Sequence, residues 1–199
     1  MKKITIALIM VISLIAPIQT MAESVTQTGT IIEPLEQNIE QIIDEITSEP
    51  RPINSDAIQN VKEYISEYFG NLGYDNIEYQ KFEYNDENNE NAIRHSSQAD
   101  VFLASTAENA IVDGIGENII VTKNSSIDTT KNLIISAHYD SAEDSVGAND
   151  NGSGVAAVLE LARILKDTEM PYNIKFILFS GEEKYMLGSS CLLYTSDAA

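Results

Sequence analysis

The chain has 199 residues, and 31 acids against 12 lysines and arginines give it a formal net charge of −19. That balance argues against nucleic-acid binding, which needs clustered Lys and Arg for phosphate contacts, and a hydrophobic content of 43% argues against a disordered chain. One cysteine, Cys191, leaves no intrachain disulfide to form, and a core of this size does not need one.

Lys2 and Lys3 precede an apolar run from Ile4 to Ile15. This is the pattern of an export signal, too short to span a bilayer comfortably. Thr20-Met21-Ala22 offers a cut before Glu23. The expectation is a signal peptide over residues 1–22 and a secreted protein, with an uncleaved membrane anchor as the alternative. Ile31, Leu35, Ile39, Ile42, Ile43 and Ile46 then recur at helical spacing. Residues 23–49 therefore read as an amphipathic helical segment, either a pro-segment or the first helix of the domain. Pro50 and Pro52 break it.

Asn54-Ser55-Asp56 can cap the next helix, whose stripe is Ile58, Val61, Tyr64, Ile65 and Phe69, with Gly70 or Gly73 at its end. "NIEYQKFEY", "DVFLAS" and "NIIVT" read as short strands. His95 lies in a polar, acidic loop between the first two and reads as a surface histidine. "NLIISA" reads as a buried strand, "GVAAVLELARILKD" as a helix apolar nearly all round, and "IKFILF" as a second buried strand. Strand, helix, strand is a βαβ unit with parallel strands. The expected class is α/β, a mostly parallel sheet flanked by helices.

Open α/β sheets carry their ligand sites past the carboxyl ends of the strands. Past the first strand come His138 and Asp140; past the second come Glu182 and Glu183; at the head of the helix between them lies Asp150. Two adjacent anions at the end of a buried strand repel each other and lose solvation, so a positive partner is required. A divalent metal supplies it: His138 offers nitrogen, and Asp150 and Glu183 offer oxygen, a mixed set suited to zinc. Asp140 is placed to take the other imidazole N–H, and Glu182 is left to handle a proton. Taken singly, each piece also fits an ordinary strand end, turn or helix start. Their convergence on one sheet edge favours the site.

The blocks "SAHYDS", "GANDNGSGVAAVLELARIL" and "KFILFSGEEKYMLGS" resemble the signatures of the co-catalytic zinc exopeptidases of the bacterial leucyl aminopeptidase and aminopeptidase Y type. The resemblance implies an αβα sandwich and a site with two zinc ions. In it His138 binds one zinc, Asp150 bridges both and Glu183 binds the other. It makes Glu182 the general base, with Asp140 behind His138, and implies a cis peptide at Asp150-Asn151. The implied activity is removal of N-terminal residues from peptide substrates by metal-activated water.

The family's two remaining ligands, an aspartate and a histidine, fall beyond "GEE", where this chain offers only Asp197 and no histidine. Residues 50–190 are therefore expected to be the N-terminal part of a zinc peptidase domain, with the C-terminal part missing and the fragment itself inactive. "CLLYTSDAA" resembles a translated sequencing-adapter end, so residues 191–199 are expected to be non-native and foreign to the fold. Two other functions compete: a glutaminyl cyclase-like acyltransferase, and a non-catalytic ectodomain on the same fold.

Overall fold

The computed structural model describes residues 34–84 and 114–195. The expected export signal, His95 and the strand expected over "DVFLAS" lie outside those residues.

Helix α1, Glu36–Ile46, places Ile42 and Ile46 in the core. Its start is held from another helix, as the Leu35 N–H and the Asn38 side chain both donate to the Glu160 carboxylate, at 2.8 and 3.3 Å. Helix α2, Asp56–Asn71, is capped by Ser55, whose Oγ accepts from the Ile58 N–H at 3.1 Å. It buries Ile58, Val61, Ile65 and Phe69, and Gly73 then reverses the chain with φ of +90°.

Strands β1, Ile77–Tyr84, β2, Gly114–Lys123, β3, Asn132–His138, and β4, Asn173–Phe179, form one sheet in the order β1-β2-β4-β3. Helix α3, Ser153–Leu165, joins β3 to β4, and the two strands pair in parallel as the βαβ reading requires. The other two pairings, β1 with β2 and β2 with β4, are antiparallel. The α/β class and flanking helices hold, but among the described strands the sheet is mixed, not mostly parallel. Only the βαβ unit contains a crossover helix that returns the chain in the same direction.

Side-chain alternation gives the sheet two apolar faces. Ile119, Val121, Ile174, Phe176 and Leu178 meet α1, α2 and α3 in the main core. Phe82 and Tyr84 point the other way and join Ile53 in a smaller cluster. Helix α4, Leu187–Thr195, lays Leu187 and Cys191, four residues apart on one helical face, against that cluster. The segment read as foreign to the fold is thus helical as far as Thr195, because its first turn finds an apolar seat.

β3 departs from its expectation as a buried strand. Ile134 is 58% and Leu133 39% exposed, since β3 ends the sheet among the described strands and has one neighbour there.

Candidate metal centre

β3 and β4 run in register to their ends, with His138 opposite Phe179. The chain leaves both strands side by side, and the Tyr139 N–H extends the ladder to the Phe179 carbonyl at 2.9 Å. "HYDS" and "SGEE" therefore emerge at one rim. The third element, a tight irregular turn at Ala148–Gly152, opens α3 and carries Asp150 out of helical geometry. The Asp150-Asn151 peptide is cis. Gly147 enters that turn with φ of +57°, and a Cβ there would meet the Asp150 carbonyl oxygen at 2.5 Å and Ser141 Cβ at 2.7 Å. Only glycine fits both demands.

All five residues picked from the sequence meet at this rim. His138 Nε2 lies 3.0 Å from Asp150 Oδ1 and 3.8 Å from Glu182 Oε2. One nitrogen of His138 and one oxygen each from Glu182 and Glu183 lie within 4.8 Å of one another. Two donors bound to a tetrahedral zinc at about 2.0–2.1 Å stand roughly 3.3 Å apart, so the spacing around Nε2 suits co-ligands of one small cation. Nitrogen with carboxylates is also a donor set that zinc accepts.

Asp140 departs from expectation. Its Oδ1 stands 3.5 Å from His138 Nδ1, and that buried nitrogen makes no hydrogen bond. The two carboxylate oxygens accept instead from the backbone N–H groups of Glu182 and Glu183, at 3.2 and 3.1 Å. Asp140 is 1% exposed. It acts on the imidazole through charge and holds the "GEE" backbone through hydrogen bonds, so one side chain couples the two strand ends.

The electrostatics are those of a site short of positive charge. Burial lowers the pKa of His138, but the carboxylates of Asp140, Asp150 and Glu182 outweigh it and raise the group to about 9. Glu183 is also raised, by burial first and then by Asp150. A cation among these groups would reverse both pressures.

Two residues were not visible as site residues in the sequence. Arg51, 0% exposed, donates through Nε to the Tyr139 carbonyl at 2.7 Å, through Nη2 to Gly147 at 3.1 Å and through Nη1 to Val146. Asn118, also 0% exposed, accepts from the Ser180 N–H at 3.1 Å and donates to the Gly188 carbonyl at 2.8 Å. Their only sequence signals are an arginine between two prolines and an amide at the head of an apolar strand.

Residues 118–198 match the sequence profile of Peptidase family M28. Aminopeptidase YwaD of Bacillus subtilis (strain 168) is 44% identical over 82 residues, which is 41% of this chain and 18% of that protein. The fold is similar to that of BSAP, a zinc aminopeptidase from Bacillus subtilis, with a TM-score of 0.64 at 19% identity over 81% of this chain and 65% of that one. It is also similar to Porphyromonas gingivalis glutaminyl cyclase, with a TM-score of 0.61 at 18% identity over 83% of this chain and 55% of that one. The chain thus spans less than two thirds of each of these proteins.

Proposed function

We propose that the protein is an exported zinc aminopeptidase. The observation that carries the reading is the meeting of His138, Asp150, Glu182 and Glu183 at one rim, with Asp140 bonded behind them. The M28 match and the aminopeptidase among the relatives support the reaction class. The basic start and apolar run of residues 2–15 support export.

In this reading His138, Asp150 and Glu183 hold zinc, two ions in the complete site. Zinc held there would polarise a scissile carbonyl and make water acidic enough to attack near neutral pH. Glu182 accepts the proton from the attacking water and returns it to the leaving amine. Asp140 fixes the Glu182 and Glu183 backbone and acts on His138 through its charge. The free α-amine of a peptide is drawn to the surrounding carboxylates.

The test compares Glu182→Gln with His138→Ala in the whole protein. The first should keep zinc and lose turnover of an aminoacyl anilide by about 10²–10⁴, while the second should lose zinc itself. Equal zinc loss in both would overturn the division of roles. A glutaminyl cyclase would reveal itself by closing an N-terminal glutaminyl peptide with release of ammonia, and by leaving the anilide intact.

A further inference from the structure

Two of the three loops that carry the donors share a buried anchor that lies outside them. Arg51 sits between Pro50 and Pro52, which restrict its backbone. Its guanidinium reaches the carbonyl of Tyr139, the residue between His138 and Asp140, and the carbonyls of Val146 and Gly147, which lead into the turn of Asp150. The Arg51 backbone is tied to the same loop: its N–H donates to Ser141 Oγ at 2.9 Å and its carbonyl accepts from the Ser141 N–H at 3.3 Å. Ser141 Oγ in turn donates to the Ser145 carbonyl at 2.8 Å. Residues 139–147 are wrapped around one guanidinium.

We propose that Arg51 is the positioning residue of the metal centre, presetting the His138 and Asp150 loops before any metal arrives. This rests on the zinc reading above. A planar fork with several fixed N–H donors can hold three carbonyls at once, whereas a lysine ammonium on a flexible stem cannot reproduce the fork. The guanidinium also gives the rim a permanent buried cation. Burial lowers its pKa, and Asp140 and Glu183 oppose that fall. Each of its three nitrogens donates to a carbonyl, which compensates the burial of the charge. Arg51 is not placed to bind metal or substrate; it acts through the backbone on either side of the donors.

Arg51→Lys and Arg51→Ala are each compared with the parent chain. Zinc affinity is measured by competition with a chromophoric chelator, coordination by the visible spectrum of bound Co²⁺, and folding by circular dichroism. Both variants should bind zinc 10–100-fold more weakly, with a shifted cobalt spectrum. Millimolar guanidinium should restore affinity to Arg51→Ala and leave Arg51→Lys unchanged. In the metal-free chain, a glutamate-specific protease should cut after the exposed Glu143 faster in both variants. Folded variants with parental affinity and spectrum would overturn the proposal. Should both variants fail to fold, Ser141→Ala decides: a several-fold loss of affinity supports the anchor, and parental binding counts against it. Absence of zinc binding in the parent would sink the zinc reading instead, and faster cleavage after Glu143 would still uphold the clamp.

Discussion

Glu160 is a charged residue in the middle of an apolar helix, 2% exposed. Its carboxylate accepts from Arg163 Nη2 at 2.7 Å and Nε at 2.9 Å, and from the start of α1. Arg163, first, and the α1 donors hold its pKa below the ordinary glutamate value of 4.5, against the opposing effect of burial. A carboxylate depressed in the folded state adds stability above its unfolded pKa and loses it as pH falls through the folded value. Acid below the ordinary glutamate range should therefore loosen α1 from α3. Glu160→Gln should reduce stability near neutral pH by about 1–3 kcal/mol and flatten the acid limb, which urea titrations at several pH values would read. A variant as steep as the parent in acid would locate that sensitivity elsewhere.

The same scale separates what the sequence tells from what it withholds. His138, Asp140, Asp150, Glu182 and Glu183 are legible because each stands at or just past the end of a strand, or at the head of a helix. Arg51 and Asn118 are not, because their partners are mostly backbone groups remote in sequence. The Arg51 side-chain bonds bridge separations of 88, 95 and 96 residues, and a carbonyl has no letter of its own. The missing His138–Asp140 hydrogen bond has a similar origin: two amides compete for the carboxylate, and the sequence gives no sign of them.

Among the elements, the link from β4 to α4 is tightly constrained. It leaves β4 at Ser180, turns through Gly181 with φ of +70°, and places Tyr185 and Met186 at +64° and +59°. Positive φ is unfavourable for side-chain-bearing residues and persists where surrounding bonds impose it. Here the Met186 N–H reaches the Glu182 carbonyl and the Leu187 N–H the Gly181 carbonyl, both at 2.9 Å, while Asn118 brackets the link from β2. A Cβ at Gly188 would run into Asn118 Oδ1 and the Ser180 carbonyl. Gly188→Ala should destabilise the chain by about 1–3 kcal/mol and lower zinc affinity with it, since the bracket also positions Glu182 and Glu183. Denaturant midpoints with and without zinc would separate the two effects. The α4 helix itself is hard to see in sequence, because its seat on Ile53, Phe82 and Tyr84 belongs to distant segments.

For the whole molecule, the sequence carries the α/β class and the one parallel pair, but not the direction of β1 or β2. A strand's apolar pattern records how its faces are buried, not which way its neighbours run. It also overstates the burial of β3, whose apolar letters describe a strand with more cover than the described residues provide. Among the described residues β3 is held to the sheet along one side only, and its last rung sets His138 opposite Phe179. A ladder held on one side opens from its end. Zinc held between His138, Asp150 and Glu183 would fasten that end from outside the backbone, as a clasp closes a strip. Deuterium uptake at the Tyr139 amide should slow when zinc is added, while the capped Ile58 amide of α2 keeps its rate. Equal slowing at both would mean that the ion tightens the molecule as a whole and that the strand has no clasp of its own.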